Sequence, residues 1–165
     1  MDLLDRLLVH DEWATAHLLA FSRDLTDDQL DREFDIGHRT LRRTYEHIIF
    51  ITDFWTRVMT GSPITPPTTG RTIPELEVEH PRVYATFARF ARQIRDEGRL
   101  GDLFTDHHGE QMSFEGAILH LILHGDEHRT EAVHILHRLD VGDVPEVDHG
   151  LWDFVVRGKF NGYES

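Results

Sequence analysis

Residues 113–139 read SFEGAILHLILHGDEHRTEAVHILHRL, and their spacing decides the architecture of the chain. At about 100° per residue, Ala117, Leu121, Ala132, Ile135 and Leu139 fall on one apolar stripe, the mark of a helix facing a core. Ser113 stands where an N-cap is needed, so the helix is expected to run from Ser113 to about Leu139. His124 and His128 lie inside the stripe. They are about 40° apart around the axis and one turn apart along it, so both imidazoles can reach one point. His120 falls at the edge of the stripe, beside Glu131 and Arg138.

Working outward, three further segments carry helical periodicity. The first runs from Leu3 to about Ser22, with Leu4, Leu7, Leu8, Trp13, Leu18 and Phe21 among its apolar positions. Thr26, followed by Asp27, Asp28 and Gln29, predicts a short capped turn of helix. A second long helix is expected from Thr40 to Thr60, stopping at Gly61, with a core face of Leu41, Thr44, Ile48, Ile51, Trp55 and Val58. His47 sits on the flank of that face. The stretch from Gly61 to Ile73, GSPITPPTTGRTI, has three prolines and two glycines and excludes regular structure. It reads as a connection, with a lid as the alternative.

A third helix starts near Pro74 and ends by Gly98, and Pro81 within it implies a late start or a bend. Gly98 to Met112 reads as turn and short strand. The tail from Val141 to Ser165 is rich in Gly and Asp but carries Trp152, Phe154 and Phe160. It is expected to pack over one end of the helices or at a subunit contact. The fold expected is all-α: one four-helix-bundle domain over residues 1–165, with an irregular, strand-like excursion before the last helix and no sizeable sheet.

Composition narrows the function. A chain of 165 residues fits one domain. Its formal net charge of −13 argues against phosphate contacts with nucleic acid and against an anionic membrane partner. Asp2 and Asp5 among the first leucines do not make a secretory signal, and no run nears the roughly 18 apolar residues of a membrane span. A cytoplasmic location follows as the default expectation. There is no cysteine, which removes disulfides, thiolate ligands and a cysteine nucleophile. A metal would have to be held by imidazole or carboxylate, which suits zinc, nickel or iron, and also cobalt or manganese. A nucleophilic thiol would have to come from a substrate or cofactor.

Thirteen histidines make coincidence a real competitor. At that density roughly one His pair at i,i+4 arises by chance, and this chain has two, so orientation carries more weight than spacing. Two readings stay open for His47, His124 and His128. Each could be a buried neutral ring satisfied by a hydrogen bond. Together, they could supply the three protein ligands of a metal site that keeps positions free for water or substrate. His107 and His108 fall in the turn region and read as solvated, while His134 and His137 face away from the core. Trp55, two turns beyond His47, is a pocket candidate, with core packing the plainer reading.

The HGDEH run at 124–128 is not the zincin motif, because Gly125 stands where that motif has its glutamate. Glu127 points about 60° away from His124. Gly125 costs about 1 kcal/mol against alanine within a helix, which a close helix crossing would explain. The chain has no phosphate-binding glycine loop and no nucleophile elbow.

These motifs together resemble the DinB-like, YfiT-related metalloenzyme superfamily. HDEWATAHLL at 10–19 is similar to its first-helix signature, centred on Trp13 and Ala14. LRRTYEHIIFITDFWTRVMTG at 41–61 is similar to its second helix, with His47 as the first metal histidine. ILHLILHGDEHRTEAVHILHRL at 118–139 resembles its last helix, where His124 and His128 match the other two ligands and Arg129 follows. VPEVDHGLWDF at 144–154 resembles the tail. The resemblance implies an up-down-down-up bundle, often a homodimer, with a divalent ion on His47, His124 and His128.

Many relatives have glutamine where this chain has Glu131, so Glu131 is a candidate proton acceptor or a neutraliser of nearby charge. His120 and Trp55 are candidate pocket residues. The resemblance further implies a small-molecule substrate. Its leading form is a transferase or isomerase using a low-molecular-weight thiol. A metal-dependent hydrolase and a non-catalytic, stress-related metal-binding dimer are the alternatives.

Overall fold

The computed structural model describes residues 1–158, so the expected packing of Phe160 lies outside the described residues. Helix α1 (Leu3–Phe21) is capped by Asp2, which accepts from the Asp5 amide at 2.8 Å. The short α2 (Asp27–Leu30) starts at Thr26, whose hydroxyl and the Gln29 side chain satisfy each other's backbone amides. Thr40 caps α3 (Leu41–Thr60), and a second reciprocal pair, Thr72 and Glu75, opens α4 (Ile73–Asp96). The strands β1 (Leu103–Thr105) and β2 (Gln111–Ser113) form an antiparallel pair with Leu103 opposite Ser113. Ser113 then caps α5 (Phe114–Leu139), and Asp148 caps α6 (His149–Val156). The long helices thus begin and end within about two residues of the sequence expectation.

Contacts between helix ends give their directions. The Arg71 amide donates to Glu46 at 2.8 Å, and Arg42 donates to the Arg71 carbonyl at 2.7 Å. Helix α4 therefore starts beside the start of α3, and the proline-rich connection runs back along α3. Arg92 and Arg95 of α4 reach Asp5 and Asp2 at the start of α1, while Arg23 beyond the end of α1 reaches Glu77 early in α4. Those two helices are antiparallel. Leu4 and Leu7 lie beside Ile118 and Ile122, so α1 and α5 share a direction.

Two apolar clusters fill the interior. One contains Leu18, Leu19, Leu41, Tyr45, Leu76 and Ile135, the other Leu8, Tyr84, Phe87, Phe114 and Leu121. Between them, each long helix turns a polar residue inward: Asp11 and Thr15 from α1, Thr52 from α3, His80 from α4, Arg129 from α5.

Three local expectations need correcting. Helix α4 runs unbroken through Pro81, which is exposed, so its ring lies on the solvent side. On α3 the expected Leu41, Thr44 and Ile48 are buried, together with Tyr45, Ile49, Thr52, Thr56 and Met59, whereas Ile51, Trp55 and Val58 are only partly buried. The expected face therefore holds up to Ile48, and beyond it the buried stripe runs through Thr52 and Thr56 instead of Ile51 and Trp55. Thr52 and Thr56 enter the core because their hydroxyls donate to the carbonyls of Ile48 and Thr52, at 2.9 and 2.6 Å. The tail lies along the side of α1 and α5 rather than over an end. Trp152 is buried against His10, His10 Nε2 bonds the Val147 carbonyl at 2.8 Å, and Asp153 pairs with Arg6. Phe154 is exposed.

Candidate metal centre

Three helical positions and one loop position bring four imidazoles close together. Among the described residues, the set whose nitrogens all lie within 4.8 Å of one another is His38, His47 and His128, without His124. Nε2 of His124 lies 3.2 Å from Nε2 of His47 and 3.1 Å from Nε2 of His128. His47 comes from the middle of α3 and the other two from successive turns of α5, so the packing of α3 on α5 creates the cluster. The fourth ring belongs to His38, on the loop before α3. His38, His47 and His128 each offer a nitrogen within 4.8 Å of the other two. His38 was not legible beforehand. It follows Gly37 in an irregular segment, where no helical period says which way a side chain faces.

The protonation of the rings bears on what they can hold. His128 Nδ1 lies 2.7 Å from the Glu131 carboxylate, so Nδ1 carries the proton and Nε2 presents its lone pair. Burial, with neighbouring rings adding to it, holds the pKa of His47 down to about 3 and that of His124 to about 4. Both rings are therefore neutral at neutral pH. A neutral His124 has one proton at most for two facing nitrogens, so hydrogen bonding alone leaves one close nitrogen–nitrogen contact without a shared proton. A cation shared between the lone pairs removes that conflict. The spacing agrees. Nitrogens bound at about 2.0–2.1 Å to one ion are about 3.3 Å apart at tetrahedral angles and about 2.9 Å at right angles. The observed 3.1 and 3.2 Å fall in that interval.

Glu131 stands behind His128, on the side of the ring away from His124. A ligating histidine whose other nitrogen donates to a carboxylate is oriented and made more basic by it. The partly buried Trp55 meets the exposed His120 edge-on at 5.7 Å, and His120 lies 5.5 Å from His124. Both thus flank the approach to His124, while Trp55 also packs on the core cluster around Phe114. His107 rests edge-on against Trp55 and Phe54 and is exposed. His134 and His137 are exposed on the outer face of α5. A cleft of about 260 Å³ opens beside the cluster, lined by His38, His47, Phe50 and Pro67–Thr69. The proline-rich connection therefore forms one wall of it.

Residues 10–132 match the DinB superfamily, a span that holds all four histidines and Glu131. The chain belongs to the DinB superfamily. The match ends before the tail motif at 144–154. No curated protein matches the chain. DinB membership and the cluster agree at the same level: a histidine group able to hold a metal ion, on an all-α framework. Among the described residues no helix is long and apolar enough to cross a membrane.

Two other residues of the DinB-like motifs gain a structural role. Asp11 and Arg129 form an ion pair, both almost wholly buried, and Tyr84 donates its hydroxyl to the same carboxylate. This pair joins α1 to α5 one residue past His128 and so sets how the helix that carries His124 and His128 sits. Gly125 is needed here. A Cβ on it would lie 2.8 Å from Asp11 Oδ1 and 3.0 Å from Arg129 Nη1.

Proposed function

We propose that the protein is a metal-dependent enzyme in which His47, His124 and His128 hold a divalent transition ion, zinc, nickel or iron. The observation that carries this is the close approach of His124 Nε2 to Nε2 of both His47 and His128, with Glu131 fixing the His128 ring from behind. Such an ion, when bound, lowers the pKa of a thiol or water that joins it. The residues define the rest. His47 and His124, neutral at neutral pH, offer a ring lone pair without first losing a proton. The cleft beside His47 admits a small molecule between Phe50 and Pro67–Thr69.

The reaction we favour is transfer or isomerisation using a low-molecular-weight thiol. The chain has no cysteine of its own, and the family resemblance points the same way. A hydrolytic reaction would want a free general base near the ion. Glu131, the carboxylate best placed in sequence, is engaged with His128 on the far side of the ring, which favours the thiol reading.

The test is to load the purified chain with each candidate metal and supply small thiols and a reporter electrophile. Metal-dependent conjugation above the His47→Ala background is expected. A chain that neither contains nor takes up a stoichiometric ion would end the proposal at its root. A chain that holds the ion but conjugates no thiol would end only the reaction assigned to it.

A further inference from the structure

The loop before α3 is built to present His38. Its backbone closes on itself, with the Phe34 amide donating to the Arg39 carbonyl at 2.7 Å and the Arg39 amide to the Ile36 carbonyl at 2.7 Å. It is also tied to α5. Phe34 is buried in the core cluster beneath the Arg138 guanidinium, and Arg138 pairs with Asp35 at 2.6 Å. Gly37 and Arg39, on either side of His38, both have left-handed backbone, with φ of 40° and 71°. Gly37 lies against the Glu131 carboxylate so closely that a Cβ there would overlap it. The carboxylate that orients His128 is thus also the seat of the loop that carries His38.

The result is a nitrogen within 4.8 Å of nitrogens on both His47 and His128, a group that does not include His124. The His38 ring faces that of His47 at 3.8 Å between centroids, tilted by 33°, and stands 5.0 Å from that of His128. We propose that His38 is an additional, fourth nitrogen donor to the ion of this site, entering from the His47 and His128 side and held there by the contact of Gly37 with Glu131. The inference rests on the three-histidine reading above. A fourth donor does not close the site to substrate. An ion that takes six ligands keeps two positions, and with a four-coordinate ion His38 is the ligand placed to yield, since the other three stand on helices.

The experiment uses the full chain loaded with cobalt(II), reading both visible absorption and affinity against a chelator. His38→Phe keeps a ring to stack on His47 but has no nitrogen, and His38→Ala removes both. Each is expected to bind cobalt at least about tenfold more weakly than the parent, with an altered absorption band. Gly37→Ala should give the same change with His38 present, because the added methyl lifts the loop from Glu131. A His38→Phe protein with parental affinity and spectrum would overturn the proposal. If His47→Ala abolishes binding in that same experiment, the three-histidine reading survives alone. Absence of cobalt uptake by the parent would remove both.

Discussion

The carboxylate of Glu131 sits 2.7 Å from Nδ1 of His128 and so fixes the ring whose Nε2 faces His124. A buried imidazole without that acceptor would be free to rotate or to change tautomer, and either would turn its lone pair away from the cluster. Glu131→Ala is expected to weaken metal binding about 10- to 100-fold. Glu131→Gln should lose much less, because the amide oxygen still accepts from Nδ1–H. Chelator competition at fixed pH measures both. Equal affinity of Glu131→Ala and the parent would show that the contact does not support the ligand.

The ion pair between Asp11 and Arg129 makes a second prediction. Removing one partner strands a charge in the interior, at a cost of about 3–5 kcal/mol. Arg129→Ala should therefore lower the unfolding free energy obtained from urea denaturation by that amount, a large fraction of the roughly 5–15 kcal/mol typical of a domain. Replacing both members with apolar residues of similar size should cost less than the sum of the single changes. Additive losses in that double-mutant cycle would mean that the two side chains act independently.

Gly125 gives a third case, in which helix propensity and packing oppose each other. Alanine is favoured over glycine inside a helix by about 1 kcal/mol. Here its methyl group would press on Asp11 and Arg129, whose side-chain ends are immobilised by their own pairing and by Tyr84. Packing should win, so that Gly125→Ala is destabilised by about 1–3 kcal/mol in chemical denaturation. A more stable variant would show that α1 and α5 can separate slightly at this crossing.

These cases also show what the sequence could disclose. Helix starts were readable where caps are local: Thr26 and Ser113 each act within three residues of where they stand. The meeting of His124 with His128 was readable from their placement one turn apart on one face of the same helix, and His47 from its place on a core-facing flank. The buried face of α3 was only partly readable, since Thr52 and Thr56 hide their polarity by bonding their own backbone. Asp11 and His38 were beyond reach for different reasons. Asp11 is buried only because Arg129 arrives from 118 residues away. His38 is aimed by a loop whose course depends on Glu131, and no periodicity records that.

His80 predicts how stability depends on pH. It is buried within α4, and its Nε2 has no hydrogen-bond partner among the described residues. Burial, and then the Arg129 charge, hold its pKa down from 6.5 to about 4. In the unfolded chain the ring takes up its proton as pH falls through 6.5, whereas in the folded chain it stays neutral until about 4. Between those values the unfolded state binds more protons, so stability falls as pH falls, and above 6.5 the residue has no effect. The full loss is about 3 kcal/mol. His10, His47 and His124, also held low by burial, act with the same sign, so total stability alone does not isolate His80. The comparison that does is parent against His80→Leu in urea, at pH 7.5 and again near pH 4.5. The variant should gain on the parent by about 2–3 kcal/mol as the solution is acidified. A difference between the two proteins that stays constant with pH would show that the buried ring takes up its proton without cost to the fold.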